Sequence, residues 1–130
     1  MNEILIPISP GELLDKITIL QIKAERIADP ARVANVNTEL DMLSKVWSET
    51  VEVDAEITRL TAELKAVNEV LWQIEDDIRD EERNKRFGER FIELARAVYV
   101  TNDERANAKK KVNLHLNSTI VEEKSYQDYQ

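Results

Sequence analysis

Apolar residues recur along this chain at spacings of three and four, the pattern of helices that each bury one face. The clearest case is the seam Ile57, Leu60, Leu64, Val67, Leu71, Ile74 and Ile78, an unbroken 3-4-3-4-3-4 heptad run. It predicts a third helix from residue 54 to about residue 86, roughly 45–50 Å long at 1.5 Å per residue, which suits coiled-coil-like packing. Asn84 to Gly88 reads as its stop and turn. A fourth helix then runs over about 89–116, with Phe91, Leu94, Ala95, Val98, Val112 and Leu116 inward.

Two shorter helices precede this hairpin. Ser9-Pro10-Gly11-Glu12 is a helix start, with a capping hydroxyl, a proline at the first helical position and a carboxylate in the first turn. The first helix spans about 10–28. Leu13, Ile17, Leu20, Ala24 and Ile27 form one seam, while Ile19 and Ile22 point to the opposite side. A helix apolar on both sides needs cover on both sides, so it is either central in the fold or part of a subunit interface. Asp29-Pro30 starts the second helix, about 30–48, whose seam is Val33, Val36, Leu40, Leu43 and Trp47. With almost no connection between them, these two helices should form an antiparallel hairpin or a sharp corner.

Residues 1–8 read as a short extended arm with Ile4, Ile6 and Ile8 on one side, and Pro7 keeps it out of any central strand. Residues 118–130 show no sustained period and read as an extended tail. The whole is expected to be one all-α domain over residues 1–130, an antiparallel four-helix bundle dominated by the long hairpin of its third and fourth helices.

Polar residues inside apolar stripes are the most informative positions. Asn68 and Glu75 sit on the border of the third helix's seam, and Asn102, Arg105 and Lys109 fall where the fourth helix should be apolar. If the hairpin turns near residues 86–88, facing residues have numbers that sum to about 174. Asn68 then meets Arg105, and Trp72 meets Asn102, with Glu75 about a turn away. One polar layer of Asn68, Trp72, Glu75, Asn102, Arg105 and Lys109 is expected. It is either a hydrogen-bonded network that sets helix register, with Glu75 paired to Arg105, or an anion pocket walled by Trp72.

Composition narrows the chemistry. There is no cysteine, so there is no disulfide, thiolate nucleophile or Cys-based metal site, and a single histidine, His115, removes any His-pair metal motif. A net charge of −8 argues against nucleic acid and against an acidic membrane surface. Charge is uneven along the chain: residues 51–86 are strongly acidic and residues 87–117 are net basic. Antiparallel pairing sets these two stretches against each other. No apolar run approaches the ~20 residues that span a bilayer. The opening Met1-Asn2-Glu3 lacks a basic leader, so a cytoplasmic location is expected.

A second chemistry rests on carboxylates. Glu12 and Asp15 are spaced i, i+3, Asp76 and Asp80 i, i+4, and Glu69 lies two turns before Asp76. Two helices bearing such groups could hold Mg²⁺, which takes oxygen ligands. This arrangement resembles the all-α nucleotide pyrophosphohydrolases of the MazG type, and Lys111-Val112-Asn113 resembles their downstream Lys/Asn element. On that reading Glu69, Asp76 and Asp80 are the metal ligands.

The strings ILIPISPGELLDKITILQIKAERI, LKAVNEVLWQIEDDIR, FGERFIELARAVYVTNDERA and VEEKSY together resemble an uncharacterised bacterial family of short helical proteins, a domain of unknown function. The resemblance implies a small stand-alone helical protein and transfers no catalytic residue. The leading expectation is a non-enzymatic interaction or scaffold module, without a cofactor, that self-associates as a dimer and engages a protein partner. The two-sided first helix, the apolar arm and the overlong hairpin motivate it. The alternative is a Mg²⁺-dependent hydrolase of a phosphorylated small molecule or nucleotide.

Overall fold

The computed structural model describes residues 3–129. Positions 1 and 2 of the expected arm and position 130 of the tail lie outside the described residues. Four helices follow in order: α1 (Pro10–Arg26), α2 (Pro30–Thr50), α3 (Ala55–Arg83) and α4 (Glu89–His115). Among the described residues there is no strand, and the protein is an all-α bundle.

Local chemistry starts the first three helices where the sequence places them. Ser9 Oγ accepts from the Glu12 N–H at 3.2 Å, Asp29 Oδ1 from Ala31 at 3.2 Å, and Asp54 Oδ1 from Ile57 at 2.8 Å. Two of these helices take proline in their first turn. The ends of α3 and α4 share a different device. Lys85 and Asn117 adopt positive φ (55° and 54°) just past the helix. This lets Arg86 N–H reach Glu81 O and Ser118 N–H reach Asn113 O, both at 2.9 Å, so that otherwise orphaned carbonyls are satisfied. The left-handed turn at Lys85 ends α3 at Arg83, three residues short of the expected limit.

The core is built from α1, α3 and α4. Leu14, Ile57, Leu60, Leu64, Ala108 and Val112 form one buried cluster, closed at its edge by Trp47 and Leu116. The helices α3 and α4 pack most densely, and Lys111 Nζ meets Glu63 Oε1 at 2.9 Å, the hairpin register expected. Pro10, Thr50 to Asp54, and His115 with Leu116 line a hollow at one end of the bundle. The chain therefore runs up and down through its four helices.

The two-sided helix α1 touches all three others, which places it centrally. Leu13, Leu14, Ile17, Leu20 and Ile22 are all buried. The helix α2 is different. It lies against α1 alone except where Trp47 reaches the core, and none of its residues is buried. The arm is also uncovered, with Ile4, Leu5 and Ile6 exposed by 78%, 86% and 69%. The tail folds back along α4: Glu122 reaches Lys109, and the Tyr129 hydroxyl donates to Asp103 at 2.7 Å, its ring edge-on to Tyr99. No helix among the described residues is long and apolar enough to cross a membrane.

Candidate functional site

Where α1 begins, it comes close enough to α4 for backbone to meet side chain. The Gly11 N–H donates to Asn113 Oδ1 at 2.7 Å. A Cβ on Gly11 would lie 2.4 Å from the Lys109 carbonyl oxygen and 2.8 Å from Asn113 Oδ1, so only glycine fits. This approach brings Glu12 to 2.8 Å from Lys109 Nζ, which also meets Glu122 of the tail at 3.1 Å. Burial pushes the Lys109 ammonium down, but the hydrogen bonds to Glu12 and Glu122 and the nearby charge of Asp15 outweigh it. The net effect is a value above that of an ordinary lysine. Glu122 is held below the ordinary glutamate value by Lys124 and Lys109.

One turn further along α1, Asp15 is buried and accepts from Asn68 Nδ2 at 2.9 Å. The same amide donates to Thr18 Oγ1 at 3.1 Å, and the Thr18 hydroxyl donates to the Asp15 carbonyl at 2.9 Å. Among the described residues, no fully buried side-chain nitrogen or oxygen lacks a partner, so this cluster is closed.

On its other side Asn68 faces a cleft of about 400 Å³ between three helices. From α1 come Ile19, Ile22 and Lys23. From α4 come Asn102 and Arg105. The α3 wall begins with Asn68, Leu71 and Trp72 and continues to Glu75, Asp76 and Arg79. Glu75 and Arg79 pair with each other one turn apart along α3.

Five of the six residues of the expected polar layer, Asn68, Trp72, Glu75, Asn102 and Arg105, thus line one cleft. Lys109 does not join them, because Glu12 and Glu122 draw it into the closed cluster. Glu75 does not pair with Arg105, since Arg79 on its own helix takes its carboxylate. The carboxylate alternative needs a larger correction. Glu69, Asp76 and Asp80 do not come together, and no set of three acidic or histidine side chains among the described residues could hold a metal ion. Glu69 turns to Arg26, and Asp80 is bound by Arg83 and Arg86. Glu12 and Asp15, the carboxylates expected from the other helix, are engaged by Lys109 and Asn68.

His115 contacts Asp54 Oδ2 at 2.8 Å. The Ile57 backbone N–H and His115 together hold the Asp54 carboxyl below its ordinary value. Gly11, Asp15, Thr18, Lys23 and Asn113 were not singled out from the sequence for these roles. A signal was present for two of them. Gly11 is one of only two glycines and sits inside a helix start. Asp15 interrupts α1 between Leu14 and Ile17.

These features define an all-α bundle with an open cleft of mixed polar and apolar lining between three of its helices. The family of unknown function DUF6165 matches residues 4–129, and the chain belongs to that family. No curated protein and no solved structure matches it.

Proposed function

We propose that the protein is a non-enzymatic helical interaction module that self-associates, with a second copy covering α2. One observation carries this reading. The 21-residue helix α2 has an apolar seam and no buried residue, so much of its apolar surface stays in water. Met42 and Val46 are exposed by 50% and 48% on the same helix. Burying a large aliphatic side chain contributes roughly 1.5–3 kcal/mol, so even partial cover of this helix stabilises an assembly.

Charge favours a second copy as the occupant. Arg32 and Lys45 nearly balance Glu39, Asp41 and Glu49 on α2, whereas α3 is strongly acidic and would repel its own copy. A two-fold contact sets the same patch against itself, so a near-neutral apolar helix is the suitable face. The apolar arm Ile4–Ile6 adds a second uncovered surface for that contact. The cleft between α1, α3 and α4 stays outside this interface.

Light scattering and sedimentation velocity test the reading. The wild-type chain is expected to be a dimer at micromolar concentration. The double substitution Met42→Glu and Val46→Glu is expected to give a monomer with an unchanged helical circular-dichroism spectrum. A wild-type chain that stays monomeric at high micromolar concentration overturns it.

A further inference from the structure

Most lysines and arginines of this acidic chain pair with carboxylates, and the exceptions are informative. Lys16, Lys23, Arg96, Arg105 and Lys110 make no ion pair or hydrogen bond from the side chain among the described residues. Lys16, Arg96 and Lys110 are exposed, where water solvates them. Lys23 and Arg105 are half-buried, and both line the cleft. A half-buried cation has lost part of its hydration, and without a carboxylate that loss is uncompensated. Two such groups on different helices, α1 and α4, converging on one concavity make a place where an anion recovers the lost interaction.

The rest of the cleft says what kind of anion. Ile19, Ile22, Leu71 and Trp72 give it apolar walls, so a bare inorganic ion would leave most of the surface unused. The volume of about 400 Å³ falls within the range of small-molecule sites, roughly 300–1,000 Å³. The Asn102 side chain has no hydrogen-bond partner among the described residues and supplies a further amide beside Arg105. A guanidinium presents a planar fork that matches a carboxylate or phosphate with two parallel hydrogen bonds. An ammonium adds charge without demanding direction. Asn68 is held by Asp15 and Thr18, so this wall is set before any ligand arrives, which limits the ordering cost of binding.

We propose that this cleft binds a small molecule with an apolar or aromatic body and one carboxylate or phosphate group. Arg105 and Lys23 take the anionic group, Asn102 hydrogen-bonds beside it, and Trp72 packs against the body. Three cations, Lys23, Arg79 and Arg105, line the cleft with two carboxylates, Glu75 and Asp76, a local balance of +1 in a chain that carries −8, so this concavity is less repulsive to an anion than the acidic surface around it.

Nuclear magnetic resonance on ¹⁵N-labelled full-length protein reads this directly. The two tryptophan indole N–H signals report the cleft (Trp72) and the α2 contact with the core (Trp47). Phenylacetate, phenyl phosphate and the neutral isostere phenylacetamide are titrated to about 10 mM, a range that captures millimolar affinity. Phenylacetate or phenyl phosphate is expected to move the Trp72 signal while Trp47 stays in place. Phenylacetamide is expected to bind at least about tenfold more weakly, a difference of 1.4 kcal/mol. Arg105→Gln and Lys23→Gln should each weaken the anions by a similar factor and leave the other resonances unchanged. Tighter binding of phenyl phosphate assigns the head group as phosphate, and tighter binding of phenylacetate assigns it as carboxylate. Three results overturn the proposal: no Trp72 shift with either anion, equal shifts with phenylacetamide, or anion binding indifferent to Arg105→Gln.

Discussion

Two polar regions meet at Asn68, and they are built from similar side chains with opposite outcomes. On one side, Asp15, Thr18, Glu12, Lys109 and Asn113 are knitted together by partners from α1, α4 and the tail. On the other side, Lys23, Arg105 and Asn102 face a cleft with no side-chain partner among the described residues. Lys109 and Arg105 stand one turn apart on α4, yet the first meets two carboxylates and the second none. The difference lies in what the neighbouring segments bring. The start of α1 delivers Glu12 and the tail delivers Glu122, both to the level of Lys109. One turn away the cleft's carboxylates are Glu75, taken by Arg79 of its own helix, and the exposed Asp76, which reaches no cation among the described residues. A charged residue in an apolar stripe is therefore structural or available according to its surroundings rather than its type.

This contrast can be broken from the closed side first, where the effects should be largest. Gly11→Ala drives a methyl group into the Lys109 carbonyl and should cost about 3 kcal/mol, the upper range for overpacking, measured by chemical denaturation. Asn68→Ala removes the donor to the buried Asp15 carboxylate and should cost about 2 kcal/mol. A double-mutant cycle with Asp15→Ala should show coupling well above the error of such cycles, about 0.5 kcal/mol.

Lys109→Met should cost about 1 kcal/mol, because water already screens the half-exposed Glu12 and Glu122. Its pH dependence has a definite sign. Glu122 sits below its ordinary value, so its contribution is present above that value and is lost as pH falls through the lowered one. Lys109 sits above its ordinary value, so its contribution is intact below that value and is lost as pH rises through the raised one. Limited proteolysis of the tail should accordingly accelerate in acid, and Lys109→Met should weaken that acid dependence, with Lys124 still beside Glu122.

On the open side the expected effects on stability are small. Arg105→Gln and Lys23→Gln remove charges with no partner among the described residues, so stability should change by no more than about 0.5 kcal/mol. A loss of 2 kcal/mol or more in either, on the scale of a broken buried network, would place Arg105 or Lys23 in the structural class and erase the contrast. The smallest effect concerns the tail's last contact. Asp103 pushes the Tyr129 phenol up to about 12, so the contact holds below the ordinary phenol value and is lost as pH rises through about 12. Ultraviolet titration should show Tyr129 ionising late, and Asp103→Asn should return it towards the ordinary value.

Much of the architecture was legible because its causes are local. Ser9, Asp29 and Asp54 cap the helices they precede, and the heptad run of α3 buries Ile57, Leu60, Leu64, Leu71 and Ile74. The cleft was legible for a related reason: Asn68, Trp72, Asn102 and Arg105 share a hairpin whose register follows from its turn. The contributions of α1 and the tail were not legible. Lys23 enters the cleft, and Glu12 and Asp15 enter the closed cluster, through the docking of α1 on α3 and α4, which no turn dictates. Glu122 lies in a segment without periodicity. The carboxylates misled because acidic spacings that could serve a metal also arise on a solvated helix face, and separate partners, Arg26 for Glu69 and Arg83 with Arg86 for Asp80, draw them apart.

The link between Gly11 and Asn113 joins residues 102 positions apart, nearly the full span of the chain, and this bears on the order of assembly. Contacts within the α3–α4 hairpin close short loops and can form early, whereas closing the longest loop costs the most chain entropy and comes late. Synthesis accentuates the delay, because α1 emerges first and must wait for the end of α4 before its first turn has anywhere to dock. Until then the buried stripes of α1 are open to water. Substitutions at Gly11 should therefore speed unfolding far more than they slow folding, while truncations at Leu64 in the hairpin core should slow folding.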